Sequence, residues 1–561
     1  MSIIRSVNNT YLCERKKATD SNKHYNNMKH SYLLVFLLAT VLCACESGQK
    51  SSFTRKMADY ELVTIPAPDL RDITDNGKEV LNLYRFAADE IDAIYWEQYF
   101  GDKQQLIDCI DDPLQKEFAL VNYGPWDRFD GKSFVEGYSD RLPGAGFYPA
   151  DMTLEEFNAW ENDDKLSPYT MIRRAEDGSL QAVWYHDAYK EHIDKIANYL
   201  TAAADITIKP SVKKYLLSKA QALKSDDYYQ SSLDWLEMDD SKMDLVIGPN
   251  ESTDDQLLGV KRSYEAYVLL KNQGRTAQLE EFVSRIGEFQ QALPCDPAYK
   301  TFQPGSASNI FSCDAIYYAG RANAGIKVIA LNLPFDNDVQ KDKGTRTILL
   351  ENIIRAKFNS VVAPAGNVIL SSEDKEHLRA EAFYWNIVFR EVMHGLGVKQ
   401  TVNGRGSVEQ ALGNLAPTFE ELKANVAGVL LVSKLQRRYH IHQLFTSEDA
   451  LASFFTSLVR SERFGEANSL GRANTIIYNF LKEKGAFLRQ PAGQYVLDYE
   501  KMEDALNELT ALVLKIQATG DYEFAKEFDQ NYSKPCEDYK SDVLNLGLAK
   551  VPVDIRFEFK R

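Results

Sequence analysis

The chain has 561 residues, of which 44% are hydrophobic and 11% aromatic, a composition typical of globular proteins rather than disordered ones. This length is enough for more than one hydrophobic core, and we expect two lobes. The formal net charge of −16 does not favour binding to nucleic acids, which requires a basic surface. Neutral or cationic partners fit the composition better.

The N-terminal region has the features of an export signal. An apolar run at residues 32–44 follows Lys29 and is about as long as the core of a signal peptide, but too short to span a bilayer. Cys45 follows Leu-Cys-Ala, which resembles the processing box of bacterial lipoproteins, where such a cysteine is lipidated and becomes the mature N-terminus. The sequence therefore predicts a lipid anchor at Cys45 and a location in the bacterial cell envelope, in the periplasm or at the outer membrane. An ordinary secretory signal with a chance cysteine is the alternative.

The remaining chain divides into a mixed half and a helical half. Residues 60–122 have mostly helical spacing, and the Gly-, Pro- and aromatic-rich stretch after them predicts ordered loops. Asp177-Gly178 lies between two short strand patterns and predicts a hairpin, and segments 246–249 and 326–331 are further strand candidates. From about residue 347 to residue 520 the pattern predicts long helices. The fold class is therefore α+β, with a cleft between two lobes.

These patterns give a division into six segments. They are an upstream extension at 1–27 ahead of a second start at Met28, a lipoprotein signal peptide at 28–44, a tether at 45–59, a mainly mixed lobe at 60–345 that partly crosses to the other lobe, a helical lobe at 346–545 and a C-terminal segment at 546–561. Removal of residues 1–44 takes away six basic and two acidic residues, so the mature chain has a formal net charge of −20.

One predicted helix carries the pattern of a zinc site with a substituted ligand. In a His-Glu-x-x-His helix the two histidines share the metal and the glutamate activates its water. Here Arg390 stands at the first histidine position, followed by Glu391 and by His394 on the same helix face. A guanidinium has no lone pair to donate and its charge repels a dication.

A second helix, predicted to begin near Thr418, places two more polar side chains on one face. Glu421 and Asn425 are four residues apart on it. Thr418 and Glu421 also have the spacing of a capping box, which needs no metal. Glu421 is therefore either a metal ligand or part of a helix start.

Together these segments resemble the dipeptidyl peptidase III family of zinc metallopeptidases, in particular its shorter bacterial branch. The resemblance covers the chain from about residue 60 to the C-terminus and includes the segments 123–131, 147–153, 247–259, 322–327, 332–334, 419–421 and 482–487. It implies a helical upper lobe that bears zinc, a mixed lower lobe with a small β-barrel, and a peptide-binding cleft between them.

The resemblance assigns the metal-site positions one by one. Glu391 matches the catalytic general base, His394 the second histidine ligand and Glu421 the distal glutamate ligand, whereas Arg390 replaces the first histidine ligand. Matching His394 in this way assumes a five-residue motif, because in the longer motif of most family members Gly395 would take its place. Asn425 stands where the family usually has an acidic residue that supports the ligands.

The resemblance also assigns positions away from the metal. Glu251 and Asn332 match residues that hold the substrate's free amino group, but Phe335 replaces a second asparagine there. Thr253 replaces a tyrosine that polarises the scissile carbonyl, and Leu470 replaces a histidine of the transition-state site.

These substitutions predict a dipeptidyl peptidase III-like lipoprotein that is catalytically inactive, a pseudoenzyme that needs no cofactor. Its cleft is expected to bind peptides with a free N-terminus or another partner, and its contact with the membrane is expected through lipidated Cys45. One alternative is an active, zinc-dependent peptidase that releases dipeptides from peptide N-termini. The other is a purely structural lipoprotein of the cell envelope.

Overall fold

The computed structural model describes residues 53–238, 241–300, 309–435, 443–461, 463 and 468–560. The predicted signal peptide, Cys45 and most of the tether lie outside these residues. Within the described residues, helices are all too short or too polar to span a bilayer.

The lower lobe is mixed. Its helices pack around a core that is rich in tyrosine and β-branched residues, and the apolar positions of the long helix Asp75–Tyr99 are buried there. The helices are α1 Asp75–Tyr99, α2 Lys103–Asp108, α3 Pro113–Asn122, α4 Leu154–Ala159, α5 Tyr185–Ala188, α6 Lys190–Ile206, α7 Pro210–Ser225 and α8 Tyr229–Leu236.

A curled five-stranded sheet, similar to half of a barrel, forms the part of this lobe that faces the other one. Its strand order is β4-β5-β6-β8-β7, antiparallel except for the parallel pair β6 and β8. Two further strand pairs lie in the lobe: the hairpin of β2 with β3 and the parallel pair of β1 with β11. The strands are β1 Tyr60–Ile65, β2 Thr170–Arg174, β3 Leu180–Trp184, β4 Met243–Glu251, β5 Ser263–Lys271, β6 Asn309–Gly320, β7 Ala330–Leu333, β8 Arg346–Leu350 and β11 Asp554–Phe559.

The upper lobe is a helical bundle with its own, larger hydrophobic core. A small hairpin of β9 Phe487–Arg489 and β10 Tyr495–Leu497 packs on it. Its helices are α9 Gln273–Val283, α10 Ile286–Ala292, α12 Glu351–Lys357, α13 Ala363–Ile369, α14 Ala380–His394, α15 Val408–Leu412, α16 Ala416–Leu435, α17 Ser447–Ser461, α18 Ser469–Glu483, α19 Tyr499–Thr519, α20 Tyr522–Tyr532 and α21 Glu537–Leu548, whereas α11 Asn337–Lys343 packs on the lower lobe.

Short 3₁₀ turns and one π-helical turn connect these elements. They are Asp163–Leu166, Pro297–Tyr299, Arg321–Asn323, Asp374–His377 and Gly413–Leu415, with the π turn at Phe358–Val362.

The structure confirms the α+β class, the two lobes and the Asp177-Gly178 hairpin, whose Gly178 has a φ of +85°. Four expectations are corrected. Residues 60–65 form a strand rather than the start of a helix, because their partner is a distant strand. The continuous helical part of the upper lobe begins after residue 350, since 346–350 form a strand of the sheet. Of segment 326–331, only the last two residues are in a strand.

The fourth correction concerns the tether. Residues 53–58 are helical, and Phe53 and Met57 are buried against Phe118 and Tyr60. The folded body therefore begins inside the segment that was expected to be a free tether.

Candidate functional site

Helix α14 carries the three central residues of the site. Its apolar residues Ala382, Phe383, Ile387, Val388 and Val392 are all buried in the core of the upper lobe. The chain then leaves the helix through Gly397, whose φ of +86° suits glycine. Gln290 exchanges two hydrogen bonds with the backbone of Gly397 and so fixes the end of the helix.

Helix α16 crosses α14 at very short range. A Cβ atom placed on Gly428 would lie only 3.0 Å from the backbone nitrogen of Arg390. This glycine therefore permits the close approach that brings Glu421 of α16 within reach of the Arg390 side chain. Thr418 lies within the helix, which begins at Ala416, so it is not the N-cap that the capping-box interpretation required.

Arg390 forms two ion pairs. Its Nη1 donates to Glu391 Oε1 at 2.5 Å and its Nη2 donates to Glu421 Oε2 at 2.7 Å. The side chains are mostly buried, with 23%, 10% and 22% of their surfaces exposed. Burial alone would lower the pKa of Arg390, but the two carboxylates raise it above its ordinary value. A permanent positive charge therefore lies between the predicted general base and the predicted distal ligand.

His394 faces a different carboxylate from the one that the metal-site assignment requires. Its Nδ1 lies 3.1 Å from Glu420 Oε1, and the Nζ of Lys423 lies 2.9 Å from the same oxygen. Burial opposes the charged form of Glu420, but Lys423, Lys399 and His394 together lower its pKa well below its usual range. Burial lowers the pKa of Lys423 to about 8. His394 therefore contacts the ion pair of Glu420 and Lys423, whereas Glu421 is paired with Arg390.

A cavity of about 290 Å³ lies between the two lobes and is partly open to solvent. Its walls come from β4, β5, β7 and the segments next to β7 on the lower lobe, and from α14 on the upper lobe. It is lined by Glu251, Glu265, Tyr267, Val328, Ala330, Leu331, Asn332, Leu333, Phe335, Arg390, Glu391 and His394. Six of the residues singled out from the sequence therefore meet in one cavity.

Hydrogen bonds hold Glu251 on the lower wall and Thr253 beside it. The side chain of Glu251 accepts a hydrogen bond from the backbone N–H of Thr253, at 2.9 Å. The hydroxyl of Thr253 accepts from Arg321 at 3.1 Å, and Arg321 also lies 3.3 Å from Asp254. The hydroxyl of Thr253 is thus bonded to an arginine, and Thr253 is not among the described residues that line the cavity.

Phe335 lies at the edge of the cavity with 46% of its surface exposed. The guanidinium of Arg262 stacks over its ring, 5.0 Å from the centroid, and donates to the backbone oxygen of Asn250. The aromatic ring therefore supports a cation in place of the amide that the resemblance expects there.

Asn425 and Leu470 lie apart from the cavity. The amide of Asn425 donates to the backbone oxygen of Glu421, one turn back on its own helix. Leu470 is in the first turn of α18, where its backbone N–H is capped by Asn468. Cys45 is outside the described residues, so the lipidation prediction stays untested.

The arrangement does not fit a zinc ion. In the described part of the chain, no three His, Cys, Asp or Glu side chains converge as metal ligands would. The first ligand position holds a guanidinium, which has no lone pair, and both flanking carboxylates are already paired with it. A dication could bind here only if the side chain of Arg390 moved out of the site.

Sequence reasoning missed two acidic residues of the site. Glu265 is a single acid in the otherwise apolar strand Ser263–Lys271, and this contrast was a usable signal. It is 4% exposed, and the Tyr267 hydroxyl donates to it at 3.1 Å. Glu420 is adjacent to Glu421, and only the phase of the helix decides which of the two meets His394.

The comparisons with known proteins agree with this architecture. A profile described as Peptidase family M49 matches residues 161–407. The structure of dipeptidyl peptidase III from Caldithrix abyssi is 32% identical, with a TM-score of 0.86 over 90% of this chain and 99% of that one. The dipeptidyl peptidase III structure from Corallococcus sp. strain EGB is 28% identical, with a TM-score of 0.78 over 90% and 96% of the two chains.

A curated relative, Nudix hydrolase 3 of Arabidopsis thaliana, is 27% identical over 570 residues, which cover 90% of this chain and 73% of the plant protein. Its name describes that protein alone.

Proposed function

Because this chain belongs to the dipeptidyl peptidase III family, peptidase family M49, we propose that it is a family member without zinc-dependent hydrolysis whose interlobe cavity binds peptides through their free amino group. Members of this family are zinc-dependent in general. This chain is therefore proposed to differ from its relatives in lacking zinc-dependent hydrolysis.

The observation that carries the proposal is the position of Arg390. Its guanidinium bridges Glu391 and Glu421 at 2.5 and 2.7 Å, so both carboxylates already have a cation. Glu391 is held in an ion pair, and no metal-bound water is available to it while Arg390 occupies this place. Removal of one group from a catalytic unit commonly accounts for most of the lost rate, so the other substitutions add little further loss.

The substitutions away from Arg390 support the same conclusion. The short side chain of Thr253 is bonded to Arg321 and lies outside the cavity lining, where it cannot polarise a carbonyl. Leu470 has no polar group to offer, and Phe335 stacks with Arg262. Transition-state stabilisation in acyl transfer depends on such polar groups.

The groups that would hold an amine are retained. Glu251 and Asn332 both line the cavity, and Glu265 lies beside them. A cavity of about 290 Å³ has room for a short peptide end. The formal charge of −16 also attracts cationic ligands over long distances. We therefore assign peptides with a free N-terminus as the ligand class.

The lipid anchor at Cys45 and the location in the cell envelope are part of the same proposal. Mass spectrometry of the protein purified from a bacterial membrane fraction tests them, with Cys45→Ala as the matched variant. Diacylglyceryl on Cys45 and release of the variant from the membrane are the expected results. An unmodified Cys45 within a soluble chain would contradict this part of the proposal.

The central experiment measures metal, turnover and binding on the same preparation. Protein refolded with excess zinc is expected to hold far less than one zinc per chain and to release no dipeptide from an unblocked peptide. Calorimetry is expected to detect the unblocked peptide and not its N-acetylated form. Stoichiometric zinc with dipeptide release would establish the active-peptidase alternative, whereas absence of both metal and peptide binding would establish the structural lipoprotein.

Arg390→His is the informative variant for this site. The new imidazole restores a ligand type that zinc accepts, so measurable zinc binding is expected. Turnover is expected to stay low, because Thr253 and Leu470 leave the scissile carbonyl without polar support and Phe335 offers the amine no second amide. Substantial dipeptide release by this single variant would show that those three positions matter less than proposed.

A further inference from the structure

Two carboxyl side chains lie on the same face of the sheet at the cavity. Glu251 of β4 is the cross-strand partner of Ser263, and Glu265 is two residues further along β5. Cross-strand partners project to the same face, and so do residues two apart on one strand. Glu251, Glu265 and Tyr267 accordingly all line the cavity.

The surroundings of Glu265 favour its uncharged form. The residue is 4% exposed, and burial, with the negative charge of Glu251, raises its pKa to about 8. The hydroxyl of Tyr267 and the side chain of Asn250 bond to it and act in the opposite direction.

The cationic groups nearby do not neutralise Glu265. Arg321, which follows β6, lowers its pKa, but this guanidinium also serves Asp254 at 3.3 Å and Thr253 at 3.1 Å. Across the cavity, α14 presents Arg390 with its two carboxylate partners, and His394. Among the described residues, the lower wall therefore has two carboxyl groups and no cation that pairs with them alone, since Arg321 is shared with Asp254.

We propose that an amine entering this cavity drives a proton off Glu265, so that the cavity is a proton-coupled amine site. The inference rests on the proposed function and adds to it how binding is regulated. An ammonium between Glu251 and Glu265 stabilises the second negative charge, which the empty cavity disfavours. The protonated carboxyl of Glu265 loses its proton to solvent, and the resulting carboxylate pairs with the ammonium. Charge is conserved, since one cation enters the site and one proton leaves it.

The direct test is titration calorimetry with trialanine at pH 6.5, in phosphate and in Tris. The amino group of such a peptide has a pKa of about 7.7–8.0 and is already charged at this pH, so a buffer-dependent heat reports a proton that leaves the protein. Close to one proton released per bound peptide is expected for the wild-type chain. N-acetylated trialanine is the ligand control.

Two variants locate the proton. Glu265→Gln is expected to bind the peptide more weakly and without any buffer-dependent heat. Asp314→Asn is the matched control, because Asp314 is an acid of the same sheet whose pKa is also raised by burial and which is not among the residues lining the cavity. This control is expected to release the same proton as the wild-type chain.

The wild-type chain alone provides an independent readout, should Glu265→Gln fold poorly. Infrared difference spectra are expected to lose a protonated-carboxyl carbonyl band when trialanine is added. Peptide binding without proton release, or an unchanged carboxyl band, overturns this inference and leaves the proposed function in place. Failure of trialanine to bind at millimolar concentration overturns the proposed function and the inference with it.

Discussion

Arg390 is a fixed cation between two carboxylates, and its loss would leave both carboxylates without a partner. Glu391 and Glu421 have 10% and 22% of their side-chain surfaces exposed, so water compensates them only in part. A buried carboxylate that loses its partner keeps the cost of its desolvation. The guanidinium therefore stabilises the crossing of α14 and α16.

Arg390→Met is expected to destabilise the protein by about 2–4 kcal/mol at pH 7, because two partly buried carboxylates lose their common partner. Urea unfolding followed by circular dichroism measures the difference. Arg71→Met is the control, since Arg71 pairs with Asp69 on the surface and is 88% exposed, so no measurable change in stability is expected there. Equal stabilities of the two variants would show that the buried pairs contribute nothing.

Glu265 is expected to make stability fall as pH rises. Its folded-state pKa of about 8 lies above the ordinary value of 4.5, so the folded chain binds the proton more tightly than the unfolded chain does. This contribution is fully present below pH 4.5 and is lost between pH 4.5 and 8. Glu265→Gln removes this pH dependence. Between pH 5 and pH 9, the free energy of unfolding of the variant, measured in urea, is therefore expected to rise relative to that of the wild-type chain by up to a few kcal/mol. A constant difference across this range would contradict the raised pKa.

At the scale of elements, the site depends on how closely α14 and α16 cross. Gly428 leaves no room for a methyl group, because its Cβ would meet the backbone of Arg390 at 3.0–3.1 Å. Backbone atoms cannot move aside as the end of a side chain can. The two helices would have to separate, and the ion pair between Arg390 and Glu421 would lengthen with them.

Gly428→Ala is therefore expected to destabilise the protein by about 1–3 kcal/mol, despite the better helix propensity of alanine. Gly547→Ala in α21 is the matched control, since a Cβ there meets nothing within 4 Å. That variant is expected to be neutral or to gain up to about 1 kcal/mol. Thermal unfolding of both variants side by side measures the difference in Tm. Equal shifts in Tm would show that the two helices can accommodate a methyl group at their crossing.

Elements whose signals are local were predictable from the sequence. The Asp177-Gly178 turn and the apolar spacing of α14 each lie within a few residues of the structure that they specify. Strand β1 was not predictable, because its partner is 494 residues away and its own pattern is compatible with a helix. The role of Glu265 also depended on which strand lay opposite, and a single sequence does not reveal this.

At the scale of the whole molecule, Asp554 joins strand β11 to both lobes. Its carboxylate is completely buried, lies 2.9 Å from the Nζ of Lys357 on α12, and accepts from the backbone N–H of Lys327 at 2.6 Å. Burial lowers the pKa of Lys327 to about 7 and also lowers that of Lys357, while Asp554 opposes both shifts. One acid therefore compensates two buried lysines.

Asp554→Asn is expected to destabilise the protein by about 3–5 kcal/mol, because Lys357 is left buried without a counterion. Glu558→Gln on the same strand is the control, since Glu558 is exposed and bonds only to Thr64 among the described contacts, and a change within about 0.5 kcal/mol is expected. Urea unfolding at pH 7 measures both. A mild effect of Asp554→Asn would show that water or a backbone shift can accommodate the lysine.

The pairing of β1 with β11 imposes an order on biosynthesis. Tyr60 is synthesised well before its partner Asp554, which lies 494 residues further along the chain. During that interval β1 has an unpaired edge, and such edges are where nascent chains aggregate. Closing so large a loop adds little to the entropy cost of the final state but slows the search for it. The pairing of β1 therefore waits for β11, and a chain stalled or clipped shortly before residue 554 would leave β1 without a partner.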